Sequence, residues 1–420
     1  MPPLRIAILG AGPAGLTLAR LLQLQTKPEQ ATITIYERDT GIDSRNQGGT
    51  LDLHPETGQY ALKKAGLLEE FLKVARKEVA EMRVYDGTDG RLNFLLPASL
   101  EGSGQDRPEI DRVILRRMLV NSLQPDTIQW GHRISDITSQ SHGGPGPYSI
   151  NFSSPHDLSP VTADLVIGAD GAFSKLRHLL TPIKPVYSGI CMFDLMIPNA
   201  DQTHPLVSQL TGEGLSFFLG GHKAIISQRN SRGVIRVYVS FRKEQGWIFG
   251  ETFEGWEKDK EELMRKVEGC LDGYDEKMMQ FVQAADPESI MPREIFAIPT
   301  DKYTFESKPG LTLLGDAAHL MSPFAGEGVN LAMADSADLA DSITAYFSNL
   351  KGETRTNYGL LDDALNVFKM KMFKRAKPAG EESERNGMIA FGDNAVKNMS
   401  GKMGMWKEMM ESGGKAWVGH

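Results

Sequence analysis

The stretch Leu4-Arg5-Ile6-Ala7-Ile8-Leu9-Gly10-Ala11-Gly12-Pro13-Ala14-Gly15 decides the fold. Its apolar start predicts a short buried strand, and the apolar residues over 16–24 recur at helical spacing. Between strand and helix, Gly10 permits a tight turn, Gly12 lets a pyrophosphate approach the backbone, and Gly15 allows helix and strand to pack closely. A phosphate placed there meets a helix N-terminus, where free N–H groups and the macrodipole favour negative charge. Taken alone, a GxGxxG string is also an ordinary turn joining a strand to a helix, and it is the context that raises it above that. A second strand, Ile33-Thr34-Ile35-Tyr36, ends in Glu37, about 20 residues beyond the last glycine, where an acidic side chain accepts hydrogen bonds from an adenosine ribose. Glu37 therefore points to FAD or NAD rather than a 2′-phosphorylated nucleotide, and Arg38 beside it joins the cofactor-binding candidates.

Outward from this unit, a strand ending in a turn occurs twice more. Ala163-Asp164-Leu165-Val166-Ile167-Gly168-Ala169-Asp170-Gly171 reads as a buried strand closed by an Asp-Gly turn, with Ser174, Lys175 and Arg177 opening the next helix. Such a turn holds a ligand at a strand's carboxyl end or merely connects two elements. Leu311-Thr312-Leu313-Leu314-Gly315-Asp316 repeats the pattern and leads to a helix over about 329–343. Asp316 suits hydrogen bonds from ribityl hydroxyls. The loop Pro323-Phe324-Ala325-Gly326-Glu327-Gly328 aims a helix N-terminus at a flavin pyrimidine, where the dipole favours the anionic reduced form. Gly326 and Gly328 are candidates on that account.

Composition sets the frame around these motifs. A chain of 420 residues exceeds what one core usually organises, and 40% hydrophobic residues with 43 glycines fit a globular α/β enzyme rather than a disordered chain. A net charge of −8 argues against nucleic acid as partner, because phosphate binding needs a basic surface, and leaves a small molecule as the expected ligand. Cys191 and Cys270 are the only cysteines and lack a CxxC companion, so neither a disulfide framework nor a metal site is expected. The strand begins at Leu4, which leaves no space for a secretory leader, and no segment approaches the ~20 apolar residues of a membrane span. A cytoplasmic protein, monomeric or weakly homo-oligomeric, is the expectation.

The fold class expected is α/β: a Rossmann-like FAD-binding domain over 1–181 and 300–345, a mixed antiparallel-sheet substrate domain over 182–299, and a C-terminal helical segment over 346–420. Strand candidates in the substrate domain are 191–197, 215–219, 224–227 and 234–241; in the last, Ile235, Val237 and Val239 alternate with Arg236, Tyr238 and Ser240. The tail is rich in methionine (Met370, Met372, Met388, Met399, Met403, Met405, Met409 and Met410), a stripe that reads as core.

The three motifs, in this order, resemble those of the para-hydroxybenzoate hydroxylase-like group A FAD-dependent monooxygenases. Within that group the chain is most similar to the tetracycline-inactivating monooxygenases, through Gly48-Gly49-Thr50-Leu51-Asp52-Leu53-His54, Pro108-Glu109-Ile110-Asp111-Arg112, Gly315-Asp316-Ala317-Ala318-His319-Leu320-Met321 and Glu381-Glu382-Ser383. The resemblance implies that Asp52 and Arg112 contact FAD and that Arg45 contacts the nicotinamide reductant or the flavin. Arg45 is nearly as well read as a solvated loop cation, and Arg112 competes with Arg116 and Arg117 for its role, its place in the matched run favouring it. The implied reaction is reduction of FAD by NADPH and capture of dioxygen as a flavin C4a-hydroperoxide, shielded from water by the protein. No side chain is assigned as catalytic: His319 and Ser322 have no acid partner at motif spacing, and His54 and His319 read as structural.

The departures from the tetracycline enzymes fall in the substrate domain. Where those enzymes carry a glutamine and a histidine against substrate, local alignment places Met192 and Arg236, with Pro323 and Phe324 completing the substrate candidates. A more apolar pocket with one cation suggests hydroxylation of a small aromatic, polyketide-like or alkaloid-like compound bearing an acidic phenol, enol or carboxylate. The alternatives are a FAD-dependent reductase or dehydrogenase without oxygen transfer, a tetracycline-inactivating monooxygenase, and a flavin-bound sensor. A halogenase lacks support, because Trp247-Ile248-Phe249 does not supply a WxWxIP-like segment.

Overall fold

Strands that are apolar on both faces must be covered on both faces, and helices or a second sheet are the means. In the computed structural model, which describes residues 3–44, 48–76, 81–97, 107–141, 145–153, 158–350 and 356–412, five strands lie parallel. Their order is Leu311–Leu313, Leu165–Gly168, Leu4–Leu9, Ala31–Tyr36 and Ile128–Gln129. All three expected motif strands are adjacent in this sheet: Ile8 pairs with Ile35 on one side and Ile167 on the other, and Ile167 pairs with Thr312. The three turns therefore open at one carboxyl edge. Helices Pro13–Gln25 and Gly328–Asn349 pack together beside the sheet, stitched where Ser336 Oγ donates to the Ala14 carbonyl at 2.8 Å. An antiparallel sheet of Ile134–Ser139, Tyr148–Phe152 and Val161–Ala163 adds apolar residues to the same core.

The second sheet has seven strands, in the order Met291–Ala297, Val186–Ile197, Ile235–Arg242, Lys223–Arg229, Leu215–Gly220, Met82–Asp86 and Leu92–Leu96. Period-two alternation sorts its faces. Ile235, Val237 and Val239 join one buried cluster with Leu263, Val267 and Phe281 from helices Lys260–Gly269 and Glu276–Gln283. Arg236 and Tyr238 point the other way, toward Gly49 of the first domain.

This sheet does not respect the expected limits of 182–299. The hairpin Met82–Leu96, assigned from sequence to the first domain, extends it: Met82–Asp86 pairs in parallel with Leu215–Gly220, Val84 opposite Phe217. The reason is burial. A lone two-stranded ribbon is marginal in water, whereas on this edge Val84, Tyr85 and Leu96 are buried and Tyr85 stacks on Phe218 at 4.7 Å.

The C-terminal segment is helical, as expected, in helices Tyr358–Ala390 and Ala395–Glu411, with Pro378 inside the first. Its methionines divide: Met372, Met399 and Met403 are buried, whereas Met370, Met388 and Met405 are exposed, so the stripe is only partly core. Among the described residues no helix is long and apolar enough to cross a membrane.

Phe218 touches both Tyr85 of the added hairpin and Phe281 of the covering helix, at 4.7 and 4.9 Å between rings. Phe218→Ala is expected to cost about 3–5 kcal/mol of unfolding free energy in denaturant titration. A cost below about 1 kcal/mol would show that the hairpin and helix do not meet at this ring.

Candidate active site

Three backbone contacts shape the phosphate cradle. Gly10, at φ +105°, lies so close to the neighbouring strand end that a Cβ would stand 2.5 Å from the Ala169 carbonyl oxygen. A Cβ on Gly15 would stand 2.1 Å from the Gly10 carbonyl oxygen, whereas one on Gly12 would meet nothing within 4 Å. The turn is thus closed at its two ends and open in the middle, where helix Pro13–Gln25 begins with Pro13 at its first position and no side-chain cap. Uncapped N–H groups beside an open glycine fit a pyrophosphate. Glu37 is buried and braces the turn: its oxygens accept from the Ala11 N–H at 2.6 Å and the Asp39 N–H at 2.9 Å. A carboxylate has about four acceptor sites, so these bonds leave room for a ribose hydroxyl. Arg38 lies exposed at the rim.

The structure separates the three competing arginines. Arg116 is spent on the scaffold, donating to the Ala11 carbonyl at 3.1 Å and to Asp39 at 3.0 Å, with Trp130 5.5 Å from its guanidinium. Arg117 pairs on the surface with Asp43 at 2.6 Å. Arg112, at the start of helix Arg112–Asn121, turns instead to the cleft beside Gly48 and has no carboxylate in salt-bridge contact among the described residues. Burial holds its pKa below the ordinary value. A half-buried guanidinium with no carboxylate partner among the described residues fits an anionic cofactor. Arg45 lies outside the described residues.

The flavin end is tied to the second motif by Arg177, which donates to the carbonyls of Ala172 at 2.6 Å, Asp316 at 2.8 Å and Ala317 at 2.8 Å. Asp170 Oδ2 accepts from the Lys175 N–H at 2.7 Å, but Oδ1 is buried without a hydrogen-bond partner. Asp316 is exposed, and its Oδ1 would lie 3.9 Å from a Cβ on Gly328. For both, desolvation by the surrounding protein pushes the carboxyl pKa up. The loop ahead of helix Gly328–Asn349 is anchored by the C-terminal helix: Asn386 donates to the Phe324 carbonyl at 2.8 Å, and Ser383 meets Ser322 at 2.9 Å. Pro323 and Gly326 are exposed, Gly326 with φ +71°, and a Cβ there would lie 4.0 Å from Asp52 Oδ1. Strand Thr50–Asp52 and the 323–328 loop are therefore neighbours.

His319 takes a scaffold role. The fold supplies the acid partner that motif spacing lacked: Asp335, fully buried, meets His319 Nε2 at 2.6 Å and accepts from the Gly315 N–H at 3.0 Å and from Arg375 at 2.9 Å. Burial raises the Asp335 carboxyl, but His319 and Arg375 more than offset this and hold it below the ordinary range. The cluster fixes the Gly315 turn against the long C-terminal helix. His54 is likewise partnered, by Asp52 at 2.9 Å and Glu327 at 3.3 Å.

On the sheet face toward this cleft, Met192 is buried beside Ser240 and Arg293, and Phe324 packs against Phe391 at 5.7 Å. Arg236 is not the free cation expected. It is buried and forms two bonds of 2.7 Å with Asp194, because strand register sets the 194 and 236 side chains on the same face of neighbouring strands. Arg293 meets the same carboxylate only through Nε, at 3.2 Å, and remains half exposed. Asp194 and Arg293 escaped the sequence reading because nothing local marks them.

An uncapped glycine cradle with an acidic brace at the second strand fits FAD, and the relatives of this chain place it among the FAD-dependent monooxygenases. The chain belongs to the FAD binding domain family, which matches residues 4–358. It is 30% identical to Monooxygenase penA of Penicillium thymicola, over 94% of this chain and 97% of that protein. Among solved structures it is similar to Klebsiella pneumoniae HpxO complexed with FAD and uric acid, with a TM-score of 0.71, 20% identity and coverage of 97% of this chain and 93% of that one. The tetracycline destructase Tet(51) matches with a TM-score of 0.67 and 17% identity over 100% of both chains, so the expected likeness holds in fold.

Asp316→Ala is expected to weaken FAD binding about tenfold or more in fluorescence titration, the worth of a hydrogen bond to a charged acceptor, and to do so more than Asp170→Ala. The reverse ranking would reassign the ribityl contact to Asp170.

Proposed function

We propose that the protein is an NADPH-driven hydroxylase of a flat aromatic, polyketide-like or alkaloid-like small molecule that carries an acidic or carbonyl oxygen. The observation that carries this reading is the composition of the cleft-facing sheet: apolar at Met192, Ile226 and Phe217, with polarity concentrated at Arg236, Tyr238 and Arg293 around Asp194. Aliphatic and aromatic side chains suit a planar ring, and one group of directed donors suits an oxygen at its edge. Arg293, with its terminal nitrogens outside the Asp194 contact, is the better candidate for that oxygen; Arg236 instead holds Asp194 in place.

When bound, FAD supplies the electron acceptance and oxygen activation. Residues of this chain then have positioning work. Gly12 and the start of helix Pro13–Gln25 receive the pyrophosphate, Glu37 the ribose, Asp316 the ribityl chain, and Arg112 and Asp52 the flavin side. Phe324 and Met192 would close the substrate space against water. Activation of the ring comes from the substrate's own ionisable oxygen, consistent with the lack of an assigned protein nucleophile. Uric acid, named with HpxO, and the tetracycline named for Tet(51) are both multi-ring compounds rich in acidic or carbonyl oxygens, which supports the ligand class. The protein is proposed to act in the cytoplasm as a monomer or weak homo-oligomer. A reductase without oxygen transfer is not favoured, since the relatives are monooxygenases by name.

Turnover under labelled dioxygen tests the reading, using a panel of phenolic, polyketide and alkaloid compounds that stimulate NADPH oxidation. One labelled oxygen is expected in the product and the other in water. Oxidation of substrate with all label recovered as hydrogen peroxide would refute oxygen transfer.

A further inference from the structure

His54 is a buried imidazole held by two carboxylates at one end of a long helix. Its Nε2 lies 2.9 Å from Asp52 Oδ2 and its Nδ1 3.3 Å from Glu327 Oε1. Glu327 is the residue immediately before helix Gly328–Asn349, and Asp52 closes strand Thr50–Asp52 beside Gly326. Asn330, fully buried in the first turn of the helix, fixes the geometry from both sides: Oδ1 accepts from the His54 N–H at 2.9 Å and Nδ2 donates to the Asp52 carbonyl at 2.9 Å.

The arrangement poses an electrostatic problem. A helix N-terminus carries the equivalent of roughly half a positive charge, which a carboxylate in the same turn opposes. Two carboxylates, Asp52 and Glu327, would reverse the sign of the potential offered to an anionic ligand. The other charged groups felt here are Arg107, which favours the ionised form of Asp52, and Glu109, which is pushed up chiefly by burial, with Asp52 and Asp111 adding to it, and is paired with Arg76. Neither touches His54.

We propose that His54 is a positioning residue for flavin reduction: wedged between Asp52 and Glu327 as an imidazolium, it cancels one of the two carboxylate charges at the flavin-facing end of helix Gly328–Asn349, so that this end opposes less strongly the negative charge reduction places on the cofactor. The inference rests on the reading that this helix end faces the flavin. Hydride from the nicotinamide carries both electrons and the proton, and His54 neither gives nor takes a proton in that step. Two bonds to carboxylates make the charged ring the favoured form: burial alone would lower the pKa, but Asp52 and Glu327 raise it to about 9. The imidazolium is therefore present at neutral pH and lost as pH rises through that value.

The test is the midpoint potential of FAD in the purified holoenzyme, measured against a reference dye. His54→Gln is expected to lower the ratio of reduced to oxidised flavin at fixed potential at least tenfold, about 30 mV for a two-electron couple. Glu327→Gln should raise it, and the double variant His54→Gln/Glu327→Gln should return close to wild type, because one positive and one negative charge are removed together. The gap between wild type and His54→Gln should close as pH rises through about 9. Unchanged potentials in the single variants overturn the proposal, as does a double variant no better than His54→Gln, which would mean the ring acts by shape. If His54→Gln fails to retain flavin, Glu327→Gln decides alone: no rise in potential overturns the proposal. Loss of oxygen transfer with these potentials intact would count against the proposed function and not against this assignment.

Discussion

The close approach of backbone at Gly10 governs the rest of the molecule. Its α-carbon passes the end of the Leu165–Gly168 strand with no room for a side chain, and Gly15 repeats the constraint against Gly10 itself. Only that contact lets helix Pro13–Gln25 lie directly over the sheet with its uncapped first turn at the carboxyl edge. The second and third motif strands must then stack outward from the first, which brings Asp170 and Asp316 to the same edge and leaves Arg177 to bridge them through three carbonyls.

From this edge the electrostatics divide into two regimes. Charges that serve the scaffold are paired and buried: Arg116 with Asp39, Arg236 with Asp194, and Asp335 with His319 and Arg375. Breaking such a pair strands a charge in a low-dielectric interior, at a cost of about 3–5 kcal/mol, so these groups are poor candidates for binding a transient ligand. Groups with unspent capacity remain: Arg112 beside Gly48, the unpartnered Asp170 Oδ1, the exposed Asp316 and the half-exposed Arg293. The distinction between spent and unspent charge assigns roles that residue type alone does not.

How much was legible in the sequence follows from range. The parallel strands, the glycine turns and the strands of the second sheet all depend on local pattern, and they stand in the structure where expected. What escaped were pairings made by the fold. Asp335 lies 16 positions from His319, and Asp194 lies 42 from Arg236; neither pair has a motif, because strand register and helix packing create the contact. The hairpin over 82–96 has strong strand sequence, yet its partner strand begins at Leu215, and nothing in the hairpin names it. The methionine stripe misled in a different way, since exposed Met370, Met388 and Met405 share composition with buried neighbours.

The central claim is that three strand-end turns and one helix N-terminus form a single FAD site facing the side of the seven-stranded sheet that carries Met192 and Arg293. A crystal structure of the protein with FAD bound tests it most directly. The account predicts the pyrophosphate at Gly12, the ribityl chain at Asp316, and the flavin ring between the 323–328 loop and the sheet face carrying Met192 and Arg293. FAD bound with its ring on the opposite face of that sheet, or with its pyrophosphate away from Gly12, would contradict it.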